Sequence, residues 1–432
     1  MNAGTVGSNP TLSAIPHILW PAHLSLGFPA DIKRKVNLFG FQNDARADSN
    51  WKSDVSGHSF DIRFLVPGKK HRMSNDIKKD EIEDLGYDAF FESGLKESKL
   101  SGNSAARVIA EYKEAYRVRS ATGEYLARIT GRRMFGALSR EDYPAVGDWV
   151  AVTELDEDRA VIHGILPRKT ILKKKYSRKH ESQIIATNID VAFIVESVDR
   201  DYNLNRFERY FVLADDGKIT PAIILNKIDL ISAAELNLKL AQLSARFKDA
   251  AIIPTSTITE RGLDELMACI MKGKTYCFLG SSGVGKSSLI NKLLGRSAIK
   301  VSEISGRTGR GRHTTTSREI YVLQNGGIVI DNPGMKEVGM VDSSAGIEDV
   351  FDDITALSKK CRYVDCTHAR EPGCSVLNAV KSKELDENRY LNYLKLKKET
   401  DFYAMTELEK RRKDRQFGKM VKKALDQLKK YE

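Results

Sequence analysis

The chain has no apolar run approaching the ~20 residues needed to span a bilayer, which excludes a helical membrane protein. Its most apolar N-terminal stretch, residues 15–28, is interrupted by Pro16, His17, Pro21 and His23. No basic segment leads into an unbroken apolar one, so the stretch does not read as a secretory signal. Cysteine is scarce and odd in number, five in 432 residues, which argues against a disulfide framework. A cytoplasmic protein is expected. A composition 41% hydrophobic and 29% charged is that of an ordinary soluble protein, with length for two or three domains. The net charge of +11 and pI near 9.2 suit either a polyanionic partner or a merely basic soluble protein.

Residues 1–105 show no sustained periodicity and read as an extension, mostly irregular or disordered. Met73 opens a more ordinary acidic and polar leader, and residues 1–72 read as the product of an upstream start-site assignment. From 106 to 175 short strand-like runs alternate with turn signals such as Thr122-Gly123, the pattern of a small β-barrel. Arg132, Arg133, Arg168, Lys169 and the Lys173-Lys174-Lys175 run punctuate it, so it is either an OB-like nucleic-acid-binding domain or a structural one. Residues 176–345 alternate apolar strand-length runs with helical stretches, an α/β domain. Residues 346–432 combine a cysteine cluster with a charged helical tail.

Gly280-Ser281-Ser282-Gly283-Val284-Gly285-Lys286-Ser287 fits G-x-x-x-x-G-K-[ST] between an apolar strand and the helix-like run that begins at Ser288. In such a loop the backbone N–H groups wrap phosphate oxygens. The lysine reaches the β- and γ-phosphates, and the Ser287 hydroxyl ligates Mg²⁺. Asn226-Lys227-Ile228-Asp229 ends another apolar strand. A carboxylate there accepts two hydrogen bonds from guanine N1–H and its exocyclic amine, a pair adenine does not offer, so GTP is favoured over ATP. Ser256-Thr257 is placed to support guanine O6, although Ser-Thr is also common in turns. Asp331-Asn332-Pro333-Gly334 fits D-x-x-G, with Asp331 on Mg²⁺ through water and the Gly334 amide on the γ-phosphate. The Gly- and Arg-rich segment 300–317 ends in His313-Thr314-Thr315-Thr316, the expected first switch, with Thr315 or one of its neighbours on Mg²⁺.

These motifs run base loop, phosphate loop, switch, D-x-x-G, so the order is circularly permuted. The expectation is that γ-phosphate sensing is connected to whatever follows residue 345. Met335 stands where many GTPases place a water-orienting glutamine, so intrinsic turnover should be slow. His313 is either the group that positions water or a surface loop histidine. Cys361-x4-Cys366-x-His368-x5-Cys374 offers four ligands for a closed, structural Zn²⁺. Cys269 and Cys277 read as buried small hydrophobes.

Barrel, permuted motifs and cysteine spacing together resemble the RsgA (YjeQ) family over roughly residues 106–432. The resemblance implies an OB domain, a central GTPase domain and a C-terminal zinc domain. It also implies binding to the 30S subunit and 16S rRNA, rRNA-stimulated hydrolysis of GTP to GDP, and a role late in small-subunit maturation. His313 matches the family's catalytic switch histidine. A monomer without membrane contact is expected. Between Lys410 and Lys430, ten Lys or Arg stand against Asp414 and Asp426, a net +8 suited to phosphate contacts. Tyr390 and Tyr393 either stack on RNA or pack on the cysteine loop. The rival classes are a GTP-binding switch for a protein partner and a zinc-dependent RNA-processing enzyme. N-terminal sequencing of protein made from the native gene should map the start near Met73; a start near Met1 would refute that reading.

Overall fold

An aromatic cluster organises the part of the chain nearest the N-terminus that the computed structural model describes. That model describes residues 80–98, 100–113, 115–131, 139–175, 182–199, 202–296, 318–331 and 344–405, with 409, 412 and 415. Helices α1 (Asp80–Glu83) and α2 (Ala89–Glu97) lie where an irregular leader was expected. The Asp88 side chain caps α2 by accepting from the Phe90 amide at 3.1 Å. Ile82, Leu85 and Phe91 are buried with Trp149 and Leu166. The Tyr87 and Phe91 rings stand 4.8 and 5.7 Å from Trp149, so the indole is the anchor on which the leader folds.

Five strands follow: β1 (Ser104–Glu111), β2 (Tyr116–Ser120), β3 (Glu124–Ile129), β4 (Trp149–Glu154) and β5 (Arg159–Ile165). They pair in the order β1-β2-β3-β5-β4, and β4 returns to β1, which closes a barrel with no free edge. Val108, Val118, Ala127, Val150, Val152 and Ile162 fill its interior without exposure. The barrel ends at Ile165. Strand β6 (Ile171–Lys175), which carries the lysine run, pairs instead with β7 (Ser182–Thr187) in a separate two-stranded ladder.

The α/β part contains β8 (Val191–Ser197), α3 (Leu204–Asp216), β9 (Thr220–Asn226), α4 (Ala233–Arg246), β10 (Ile252–Pro254) and α5 (Leu263–Ala268). It continues through β11 (Thr275–Leu279), α6 (Lys286–Leu294), β12 (Glu319–Val322) and β13 (Ile328–Asp331). The strand order β10-β9-β8-β11-β13-β12 is parallel except for β12. Every residue of β8 and β11 is buried, as continuous apolar runs in a parallel sheet require. One bridge, Ala110 to Glu319, joins β12 to the barrel, and Arg318 meets Glu111 beside it at 3.3 Å. No helix among the described residues is long and apolar enough to cross a membrane.

The C-terminal part is built from α7 (Ser344–Val350), α8 (Asp352–Ser358), α9 (Ser375–Lys381) and α10 (Glu387–Ala404). It docks on α3 through Glu208, whose buried carboxylate accepts from Arg246 at 2.7 Å, Arg389 at 2.6 Å and Asn392 at 2.6 Å. Arg389 also donates to Asp353 at 2.8 Å and to the Val350 carbonyl at 2.9 Å. Removing one member of such a network strands the others as buried charges. Glu208→Ala is therefore expected to cost about 3–5 kcal/mol in urea denaturation. A loss below about 1 kcal/mol, the worth of a surface pair, would contradict this docking.

Candidate functional site

The phosphate-loop sequence forms a turn between β11 and α6 at the C-terminal edge of the parallel sheet, where open α/β sheets hold ligands. Gly280 has φ +145, and a Cβ there would lie 2.1 Å from the Val195 carbonyl oxygen. Gly285 has φ +100, and its Cβ would meet the Asn226 side-chain nitrogen at 2.3 Å. Both positions need glycine for space as well as for backbone conformation. Lys286 opens α6, with Ser287 and Ser288 in the same first turn. Its ammonium donates to the carbonyl oxygens of Gly280 at 2.8 Å and Ser281 at 2.5 Å.

Asn226, at the end of β9, is fully buried and faces this loop. Its Nδ2 donates to the Val284 carbonyl at 2.8 Å, and its Oδ1 accepts from Thr255 at 3.1 Å. One carboxamide thus ties the N-K-x-D segment, the loop after β10 and the phosphate loop together. Lys227 follows in the left-handed conformation, φ +63, with its ammonium on Asp199 at 2.9 Å. Asp229 is exposed, and the buried Ser256 hydroxyl donates to its Oδ1 while accepting from the amides of Ile258 and Thr259. Thr257, half-buried, lies in the same turn.

Asp331 ends β13 and is buried, with burial pushing its carboxyl up to about 6. Burial likewise pushes Lys286 down to about 8, against the pull of Glu196 and Asp331. Desolvation therefore outweighs the attraction between the two groups, since attraction would move each the other way. His313, Thr314, Thr315, Thr316, Gly334 and Met335 lie outside the described residues.

Three contributors carry no motif. Asp199 anchors Lys227, and Glu196 is a fully buried carboxylate at the end of β8 that meets Arg206 at 3.1 Å. Tyr210 of α3 shares a hydrogen bond with Ser281 of the phosphate loop. The available signal was Glu196 itself, a carboxylate ending an otherwise apolar strand.

Beginning 30 residues after Asp331, the ligand atoms of Cys361, Cys366, His368 and Cys374 all lie within 4.8 Å of one another. Cys361 Sγ and Cys374 Sγ are 3.8 Å apart, and His368 Nδ1 is 3.6 and 3.5 Å from them. His368 takes φ +61, and its carbonyl accepts from the Tyr390 hydroxyl at 2.7 Å. Tyr390 and Tyr393 are buried against this cluster. The four residues form a possible metal site. Cys269 and Cys277 are buried elsewhere, with burial raising both thiols, Cys269 to about 11.

A family model described as RsgA GTPase matches residues 165–341. A protein of Bacteroides thetaiotaomicron, small ribosomal subunit biogenesis GTPase RsgA 1, is 38% identical over 327 residues, 75% of this chain and 91% of its own length. The Listeria innocua protein of the same name is 40% identical over 328 residues, 75% and 90% of the two chains. The chain belongs to the RsgA GTPase family. Like RsgA proteins generally, it is a GTP-hydrolysing enzyme. The crystal structure of YjeQ from Thermotoga maritima superposes with TM-score 0.52 at 26% identity, covering 70% of this chain and all of that one. YloQ, titled a circularly permuted GTPase, shares the fold with TM-score 0.50 at 22% identity, covering 71% and 98%.

The raised Asp331 carboxyl has a consequence for stability. Between its unfolded value near 3.8 and about 6 the unfolded chain ionises while the folded one stays protonated, so stability falls as pH rises through that window. Asp331→Asn mimics the protonated form. Without nucleotide it should stabilise the protein at pH 7 by up to about 3 kcal/mol, and by nothing below pH ~4. Urea midpoints across this range measure the effect; equal midpoints at pH 7 would contradict it.

Proposed function

We propose that this chain binds GTP between its base and phosphate loops and hydrolyses it while bound to the small ribosomal subunit, assisting late 30S maturation. The observation that carries the reading is the Asn226 link between the two loops, in a chain whose relatives are named for small-subunit biogenesis. In this reading Asp229 reads guanine, with Lys227 along the base and Ser256 and Thr257 near O6. The amides of 280–288 and the Lys286 ammonium hold the phosphates. To do so Lys286 exchanges the Gly280 and Ser281 carbonyls for phosphate oxygens, which restores its full charge.

Ser287, Asp331 and Thr315 would hold Mg²⁺, which would neutralise phosphate charge, and the Gly334 amide would meet the γ-phosphate. Ionisation of Asp331 is favoured once the cation is present, which offsets its burial. His313 positions the attacking water, because Met335 offers no polar group for that task.

The cysteine cluster holds one structural Zn²⁺. A tetrahedral site has S···S edges of about 3.8 Å for Zn–S of about 2.3 Å and S···N edges of about 3.6 Å for Zn–N of about 2.0–2.1 Å. The Cys361–Cys374 separation of 3.8 Å and the His368 Nδ1 separations of 3.6 and 3.5 Å agree with these. Four protein ligands leave no open position, so the metal's part is to hold the loop. The barrel and the basic C-terminal segment supply the surfaces for 16S rRNA phosphates, consistent with the net charge of +11. The protein is a cytoplasmic monomer in this reading.

GTP turnover measured against added 30S, 50S and 70S particles tests the assignment. Stimulation by 30S, weakening with salt, is expected, and His313→Ala should lower the stimulated rate by about 10²–10⁴-fold. No association and no stimulation by 30S would favour a switch for a protein partner instead. A stimulated rate unchanged in His313→Ala would remove the histidine from the mechanism.

A further inference from the structure

A cavity of about 400 Å³ lies away from the nucleotide loops. It lies at the opposite edge of the sheet, walled by the residues that lead into β8 (Asn188 and Asp190), β9 (Lys218) and β11 (Lys274). Arg107 and Trp149 of the barrel form a second wall. Gly86, Tyr87 and Phe91 of the leader form the third. Three separate parts of the chain therefore enclose one space.

Arg107 is the unusual feature. It is 1% exposed, and its terminal nitrogens donate only to neutral acceptors: the Leu85 carbonyl, the Asn188 carbonyl at 3.3 Å and the Thr275 hydroxyl at 2.9 Å. Its Nε has no partner, and neither does Nε1 of Trp149, also 1% exposed. The two nearest carboxylates are already engaged. Asp190 accepts from Lys274 and from the Thr275 amide, both at 2.8 Å. Asp148 accepts from Arg168 at 2.7 Å and Thr187 at 2.7 Å. Among the described residues the guanidinium thus has no carboxylate in contact. Burial pushes the group down to about 10, against the pull of Asp190 and Asp148, with the Trp149 ring 5.8 Å from the guanidinium carbon.

The other charges on the cavity also leave positive charge over. Lys169 pairs with Asp88, Lys274 with Asp190, and Lys272 with Asp84, which is not in the wall. Glu83 is the remaining carboxylate of the wall, against two cations, Arg107 and Lys218, that have no ion pair among the described residues. Asn188 and Lys218 hold φ of +54 and +57, the strained region that side chains usually avoid.

We propose that this junction cavity binds a small oxyanion of the phosphate class, held by Lys218 at an exposed position of its wall and by the charge of the Arg107 guanidinium behind it. An oxyanion supplies what the wall lacks, a countercharge for its two cations without an ion pair. The leader then has a definite role, since its helices complete the third wall. The site is separate from the nucleotide loops and does not depend on the 30S assignment.

The full chain contains three tryptophans, so Trp20→Phe with Trp51→Phe leaves Trp149 as the sole indole reporter. With the nucleotide site saturated with GDP and Mg²⁺, its emission is followed while inorganic phosphate or, separately, ribose 5-phosphate replaces chloride at constant ionic strength. A saturable change is expected. A response to inorganic phosphate identifies the free ion as sufficient, and a response to the ester alone places the group on a metabolite. Lys218→Glu, at an exposed position, should weaken the response about tenfold or more while leaving GDP affinity unchanged. In a melting experiment either ligand should raise the midpoint of the parent and not that of Arg107→Met. No saturable change with either ligand, or an equal response in Lys218→Glu, overturns the proposal.

Discussion

The carboxamide of Asn226 is the constraint on which the nucleotide end of the molecule depends. In the permuted chain the base loop precedes the phosphate loop, and the two are 58 residues apart where Asn226 meets Val284. No shared turn holds them together, so their spacing rests on this side chain and on the sheet beneath. The amide is fully buried, and a lost partner there would cost about 1–3 kcal/mol. It also dictates a neighbour: its nitrogen occupies the space of a Gly285 Cβ. The second half of the phosphate-loop motif is thus glycine partly because of a residue on another strand.

Helix α3 extends this constraint to the C-terminal part. Along a single helix, Arg206 meets Glu196, Glu208 gathers Arg246, Arg389 and Asn392, Arg209 pairs with Glu399, and Tyr210 reaches Ser281. A rigid element therefore touches the phosphate loop at one point and α10 of the C-terminal part at several. The buried ion network is not an efficient source of stability, since well-packed apolar groups serve as well. Its consequence is register: charges that must all be paired allow one docking geometry.

Motifs whose chemistry is local were readable without coordinates. The phosphate loop needs strand, glycines, lysine and helix in one short stretch, and Cys361 to Cys374 packs four ligands into one loop. The barrel and the α/β alternation were also visible, through strand-length runs and turn signals. What stayed hidden depends on distant partners. Glu208 reads as any helical glutamate until Arg389, 181 residues away, is beside it. Asp199 gains its meaning from Lys227, and Tyr210 from Ser281. The leader was read as irregular because its apolar residues have no helical period. They are ordered by Trp149, which lies in the barrel. Lys173 and Lys174 fall within the strand-rich run 106–175 expected to form the barrel, yet they pair with β7 in a separate ladder.

Strand β12 shows how the permutation distributes mechanical contacts. It emerges from segment 300–317, the proposed first switch, and pairs on one side with β13, where Glu319 lies opposite Asp331. On its other side a single bridge reaches β1 of the barrel. A one-residue ladder flanked by a half-exposed ion pair is weak, worth roughly 1 kcal/mol or less. The β12–β1 contact is therefore weak, while β13 remains buried in the core. The barrel is held to the α/β part elsewhere, by buried hydrogen bonds from Arg107 to Asn188 and Thr275 and from Thr187 to Asp148. The C-terminal part is likewise fixed, by the Glu208 network. Both flanking bodies are thus anchored to the core away from the proposed switch, and the strand that leaves the switch is the lightly held element between them.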